Sequence, residues 1–198
     1  IGVIAPGTGL GEAYLVKGPG GYIALPSEGG HSDLTPSNRL EIELLEYLQE
    51  IYGHVSLERV ISGTGIPNIY NFLKASGRAS EPGWLRDEIA RADDPNPVIS
   101  KYSMGGQQVA ICRMAMRVFV SLLGAEAGNL ALKLLAQGGI YLGGGIPGRI
   151  LPLLREDIFL KAYQNKGRMS DLIRNIPVYI IARPETALLG AAWSACAL

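Results

Sequence analysis

Near the amino end, Ser27-Glu28-Gly29-Gly30-His31-Ser32-Asp33 sets a carboxylate and an imidazole three residues apart across two flexible glycines. That spacing lets both groups converge on neighbouring hydroxyls of one polyol, Glu28 accepting hydrogen bonds and His31 donating or accepting them. The same residue types in a loop serve equally as plain solvated side chains, their usual fate. Zinc is another chemistry for a histidine beside acids. The chain holds one further imidazole, His54, and no thiolate nearby, so no tightly bound zinc is expected. A further acid, Glu58, lies in Ser56-Leu57-Glu58-Arg59-Val60-Ile61-Ser62-Gly63-Thr64-Gly65. Taken alone, it reads as a first-turn residue favoured by the helix dipole.

Two glycine-rich turns are suited to anions. In Ala5-Pro6-Gly7-Thr8-Gly9-Leu10-Gly11, glycines permit positive φ and close backbone approach, and the Thr8 hydroxyl adds a donor. Phosphate is one occupant of such a turn, and a simple glycine hairpin is the competing reading. It is not a dinucleotide fingerprint, because a strand follows it, nor a Walker loop, which needs Gly-Lys-Ser/Thr. Gly143-Gly144-Gly145-Ile146-Pro147-Gly148 does fit Gly-x-Gly-x-x-Gly between a strand and a helix. The acid expected about 20 residues further on to bind a ribose is replaced by Tyr163, Gln164, Asn165 and Lys166. Close strand-to-helix packing explains such a cluster as well.

The elements that must hold these groups follow from pattern. Short apolar runs at Ile1–Ala5, Glu12–Lys17 and Tyr22–Leu25, separated by glycine turns, predict a three-stranded meander. Leu40, Leu44, Leu48 and Ile51 then share a helical face, with Asn38 and Glu41 at capping-box spacing and Gly53 as terminator. A short helix is expected near Ser56 and another from Pro67. Residues 77–104 read as an irregular helical excursion from the core. A long helix is predicted from about Gly106 to Gln137, a strand over Gly139–Leu142, a last strand over Pro177–Ile181, and a last helix over Thr186–Ala197 with a small-residue packing face. Together these describe an α/β layered domain with a mixed sheet.

Lys plus Arg and Asp plus Glu each total 18, leaving no positive excess to neutralise a nucleic-acid backbone. The most apolar stretch, Val109–Ala136, is interrupted by Arg113, Arg117, Glu126 and Lys133. No uncharged run reaches the roughly 18 residues of a span, and no membrane partner is expected. Cys112 and Cys196 have neither zinc nor redox spacing, which suits a cytoplasmic setting. The chain opens on Ile-Gly-Val-Ile with no secretory signal and no Met, within an apparent strand, which predicts a piece cut from a longer protein.

The four stretches, in this order, resemble the bacterial glucokinase family of the hexokinase, actin and Hsp70 superfamily. Pro6 to Gly11 is similar to its second phosphate loop, and Glu28-Gly29-Gly30-His31 to its Gly-Glu-Gly-Gly-His sugar motif with Ser27 replacing the first glycine. Gly53-His54-Val55-Ser56 running into Glu58-Arg59-Val60 and Ser62-Gly63-x-Gly65 resembles the segment whose glutamate also binds glucose. Gly144-Gly145-Ile146-Pro147 with Arg149 resembles the adenosine motif, and Ile176–Tyr179 with Leu188–Ala191 the closing strand and helix.

The resemblance implies a ribonuclease H-like, actin-type ATPase domain with a mixed sheet that starts in an antiparallel meander, helices on both faces. It implies glucose bound by Glu28, His31 and Glu58, phosphates by Gly7, Thr8, Gly9 and Gly11, and adenosine by Gly143, Gly144, Gly145 and Ile146. ATP with Mg²⁺ would be the donor, and the full-length protein a homodimer. The family's Asp-Gly-Gly-Thr loop and the Asn-Asp pair that carries its catalytic base have no counterpart in the chain. Residues 1–198 are therefore expected to be the C-terminal large domain, with the base upstream of residue 1. The alternatives are a non-catalytic sugar-binding or regulatory module on the same scaffold, a related sugar kinase of the repressor/open-reading-frame/kinase type, whose usual cysteine-rich zinc motif is missing, and a dinucleotide enzyme using Gly143–Gly148.

Overall fold

The computed structural model describes residues 1–196. Its sheet begins with β1 (Gly2–Pro6), β2 (Leu10–Gly18) and β3 (Gly21–Ser27), an antiparallel meander. The β2–β3 turn closes on Gly21 at φ +124°, a conformation only glycine adopts freely. β4 (Ile140–Leu142) pairs parallel with β1, and β5 (Val178–Ile180) parallel with β4, giving the order β3-β2-β1-β4-β5.

A parallel β1–β4 pair needs a long crossover, and residues 28–139 supply it. This stretch holds α1 (Arg39–Tyr52), α2 (Gly65–Ala75), α3 (Gly83–Arg91), α4 (Pro95–Met104) and α5 (Ala110–Leu134). Between β4 and β5 run α6 (Gly145–Arg149), α7 (Leu151–Leu154), α8 (Asp157–Gln164) and α9 (Ser170–Arg174), and α10 (Thr186–Cys196) closes the described chain.

Local chemistry accounts for the boundaries. Asn38 caps α1 by accepting from the Glu41 amide at 3.0 Å, while the Glu41 carboxylate reaches one residue further back, to the Ser37 amide at 2.7 Å. Gly53 ends the helix at φ +68°. α2 begins at Gly65, two residues before the expected Pro67. Proline is tolerated anywhere in a first turn, where backbone N–H groups have no helical acceptor. α5 starts at Ala110 rather than Gly106, because Gly105 and Gly106 cost too much backbone entropy to join it. It stops at Leu134, and Leu135 takes a left-handed conformation.

α5 is the axis of the core. Ile111, Met116, Phe119 and Leu123 are fully enclosed or nearly so, and Ile4, Ile140 and Leu142 bury the near face of the sheet. Gly124 and Gly128 lie four residues apart on α5. A β-carbon at either would overlap a backbone carbonyl of α8, at Phe159 and Tyr163 respectively, so the two helices pack at backbone contact. Within 77–104, α3 and α4 bury Leu85 and Ile99 completely. The last helix forms over Thr186–Cys196, the expected end at Ala197 lying outside the described residues, yet its side chains face solvent, with Leu188 72% and Trp193 71% exposed. Its first turn borders a cavity of about 630 Å³ over the second sheet face, lined by Val3, Ala5, Tyr141 and Ile181. Among the described residues no helix is long and apolar enough to cross a membrane.

Candidate sugar and nucleotide site

The Ser27–Asp33 loop, the candidate sugar loop, is anchored at both ends. β3 delivers Ser27, whose Oγ accepts from the Gly29 amide at 2.9 Å, and Gly29–His31 forms one 3₁₀ turn closed by His31 N donating to Glu28 O at 3.0 Å. Beyond it the chain pairs with residues 55–57. Leu57 N donates to Ser32 O and Leu34 N to Val55 O, each at 2.9 Å. This pairing sets the 3₁₀ turn Leu57–Arg59, and with it Glu58, beside the loop.

Glu28 and His31 come within 3.9 Å of each other, with their side chains 91% and 61% exposed. They stand open to a ligand. Glu58 is held differently, its Oε2 accepting from the Leu10 amide at 2.9 Å. One carboxylate thus joins the Glu28–His31 loop to the glycine turn that precedes β2. His54, the only other histidine, pairs with Asp33 at 2.7 Å. Among the described residues no cluster of three or more His, Cys, Asp or Glu could hold a metal.

The glycines act by close approach more than by unusual backbone angles. Gly29 and Gly30 lack positive φ. A β-carbon at Gly29 would overlap the Glu12 carboxylate, and one at Gly30 the Leu10 carbonyl. Gly7, Gly9 and Gly11 likewise lack positive φ. A β-carbon at Gly9 would sit 2.5 Å from Glu58 Oε2 and make that carboxylate shift, whereas Gly11 pairs with Ala5 inside the β1–β2 ladder. Gly144 combines both demands, with φ +80° and a hypothetical β-carbon 2.5 Å from Pro6 O.

Three segments meet at the carboxyl ends of β1 and β4. Gly63 N donates to Gly7 O at 2.7 Å, and Gly143 N to Ile4 O at 2.8 Å. Ser62 Oγ donates to Glu58 O at 2.6 Å, linking this junction back to the sugar side. The junction opens into a cavity of about 780 Å³ lined by Gly7 and Thr8 from the first turn, Gly63 and Thr64, and Gly145, Ile146 and Arg149 from the second. Gly9 and Gly11 do not line it. Gly143 and Gly144 border the 630 Å³ cavity instead, with Gly145 shared between the two. Sequence motifs did not reveal that α4 supplies another wall through Asn96, Ser100 and Lys101. The Asp94-Pro95 helix start was the only available signal there, and it identifies a cap, not a ligand wall.

Behind the sugar loop is a buried carboxyl. Glu12 is 6% exposed and its Oε1 has no hydrogen-bond partner. Burial, reinforced by the Glu126 carboxylate and partly offset by Lys133, pushes its pKa from the ordinary 4.5 up to about 7. With the folded value above the unfolded one, folding takes up a proton between these pH values, so stability falls as pH rises from 4.5 to 7 and levels off above. The full penalty is about 3 kcal/mol. Glu12→Gln is therefore expected to match the parent near pH 4 and exceed its stability by up to about 3 kcal/mol at pH 8. Urea titrations at both pH values would show a constant gap if burial of the charge were not the cause.

The mixed sheet thus carries an open carboxylate–imidazole pair on one side of this junction and a glycine-lined cavity on the other. The glucokinase family model matches residues 1–197, and the chain belongs to that family. A glucokinase of Nostoc punctiforme is 41% identical over 210 residues, covering 100% of this chain and 61% of that protein. The chain thus spans somewhat under two thirds of the curated relative's length. Among solved structures, glucokinase from an Antarctic psychrotroph superposes with a TM-score of 0.82 at 34% identity, over 96% of this chain and 56% of that one. A ROK family glucokinase from Streptomyces griseus shares the fold, with a TM-score of 0.60 at 18% identity over 96% of this chain and 58% of its own. The fold is accordingly the actin-like ATPase type, its mixed sheet entered through an antiparallel meander.

Proposed function

We propose that this chain supplies the glucose, phosphate and adenosine contacts for ATP-dependent phosphorylation of the glucose 6-hydroxyl in the intact protein. The observation that carries the reading is Glu58. It is tied to the sugar loop through the 55–57 pairing and to the phosphate turn through the Leu10 amide, so the two ligand sides are built on one carboxylate. Glu28, His31 and Glu58 would grip several hydroxyls at once, which rejects sugars lacking one because a buried polar partner is then left unpaired. Gly7 and Thr8 would face the terminal phosphates, and Gly145 and Ile146 the adenosine. ATP enters as its Mg²⁺ complex. This arrangement aligns acceptor and γ-phosphate, the main requirement of phosphoryl transfer.

We assign the base for the hydroxyl proton to the part of the protein outside this chain. Residues 1–198 are the C-terminal large domain in this reading, and the intact protein is a cytoplasmic homodimer. The family membership and the 41% identity to a glucokinase of Nostoc punctiforme support it.

A coupled phosphorylation assay of the intact protein with glucose and ATP tests the reading. Turnover is expected. Glucose binding without turnover would favour a sugar sensor on the same scaffold. Glu28→Gln and His31→Ala are each expected to raise the glucose KM about 10- to 100-fold, corresponding to about 1.5–3 kcal/mol for a hydrogen bond to a charged group, while the ATP KM changes little. Equal losses for both substrates would remove these residues from the sugar side.

A further inference from the structure

We propose that Glu12, through its carboxyl packed on Gly29, is a positioning residue that holds the sugar loop in register when neutral and loosens it when ionised. This rests on the reading of Glu28 and His31 as the sugar grip.

Glu12 stands on β2 opposite Ser27, the residue that leads into the loop and whose Oγ anchors the Gly29 amide. Its Oε2 lies where a side chain on Gly29 would have to go, so the carboxyl and the Gly29 backbone are in direct contact. Oε1 is shut away from solvent without a donor. Leu10 shares the strand face of Glu12, and its carbonyl occupies the corresponding space at Gly30. Both glycines of the loop are thereby seated on β2.

Two charged groups of α5 act on Glu12, the Glu126 carboxylate and Lys133. α5 presents Glu126, 2% exposed, which accepts from Asn129 Nδ2 at 2.9 Å and from Lys133 Nζ at 3.4 Å. Lys166 donates to Asn129 Oδ1 at 2.7 Å and to Ala125 O at 2.9 Å, and Glu41 of α1 acts on Lys166. The loop itself carries Glu28 and His31. Lys133 and Asn129 thus already serve Glu126, leaving Glu12 without a donor of its own. An ionised Glu12 would face a second carboxylate on α5 with no compensating hydrogen bond. The carboxyl is packed on the Gly29 backbone, so any movement of an ionised Glu12 away from Glu126 disturbs that contact. A neutral carboxyl has no such drive.

The test follows pH with two readouts on the intact protein and Glu12→Gln. The first needs no sugar: the ¹H–¹⁵N resonances of Gly29 and Gly30 should shift with pH through a step near 7 that vanishes in Glu12→Gln, while any step owed to His31 persists. The second is glucose affinity by calorimetry, expected to weaken about fivefold from pH 6 to pH 8.5 in the parent and to stay flat in Glu12→Gln, a coupling of ordinary allosteric size. Identical resonance steps, or identical affinity slopes, in parent and variant would overturn the proposal. A resonance step lost in the variant without glucose binding at any pH would instead sink the sugar-site reading, and the proposed role with it. Glu12→Ala, which removes the contact, is expected to weaken binding about tenfold at all pH values. Unchanged affinity there would also count against positioning.

Discussion

Gly30→Ala is expected to abolish measurable glucose binding and to lower stability by about 3 kcal/mol. The added methyl would be driven into the Leu10 carbonyl, a backbone atom that cannot rotate aside. Relief requires moving either the sugar loop or the start of β2. Leu10 is also the residue whose amide donates to Glu58, so movement of β2 would displace Glu58 along with Glu28 and His31. Equilibrium unfolding and glucose titration of the variant would check both arms. A variant of parental stability that still binds glucose would show that the loop is not seated on Leu10 as described.

The second large effect is placed on the other ligand. Gly144→Ala meets two obstacles at once, an extended positive-φ backbone (φ +80°, ψ −180°) that is essentially confined to glycine and costs an alanine about 1–3 kcal/mol, and an overlap with the Pro6 carbonyl. Together these are expected to cost about 3 kcal/mol of nucleotide binding, a loss of about 100-fold in affinity, as the Gly145–Ile146 wall shifts away from Thr8. Glucose affinity should hold within about twofold, since no sugar-loop contact passes through Gly144. Titrations of the variant with an ATP analogue and with glucose separate the two sides. Parallel losses would mean that one collapse, not a local displacement, had been measured.

These substitutions also show what the sequence revealed and what it concealed. The meander, the long crossover helix and the closing strands were legible because each has a strong period or a glycine boundary. The binding stretches were legible as motifs in a recognisable order. Their physical cause was less so. A Gly-Gly pair looks like freedom, and only the neighbouring Glu12 carboxylate and Leu10 carbonyl show that Gly29 and Gly30 are there for contact. The role of Glu58 in linking the two sides depends on a backbone amide 48 residues away, which no local pattern encodes.

Glu12 was more accessible than it looked. It shares strand parity with Leu10, a core residue, so a period-two reading places it facing inward. Its neighbour Glu126 is one of four charged residues that interrupt the apolar stretch, and in sequence it speaks only against a membrane span. The exposed apolar side chains of α10 could not be foreseen, since a small-residue face signals packing without naming what packs on it. The α4 wall of the 780 Å³ cavity was hidden for another reason. Asn96, Ser100 and Lys101 are ordinary helix-surface types, and only tertiary packing brings them near Thr8.

The most direct test of the central claim is a crystal structure of the intact protein with glucose and a non-hydrolysable ATP analogue. The expected result places the sugar hydroxyls within hydrogen-bond reach of Glu28, His31 and Glu58, and the nucleotide in the 780 Å³ cavity between Thr8 and Ile146. Sugar density away from the three acceptors, or the nucleotide in the 630 Å³ cavity beside Tyr141, would contradict it.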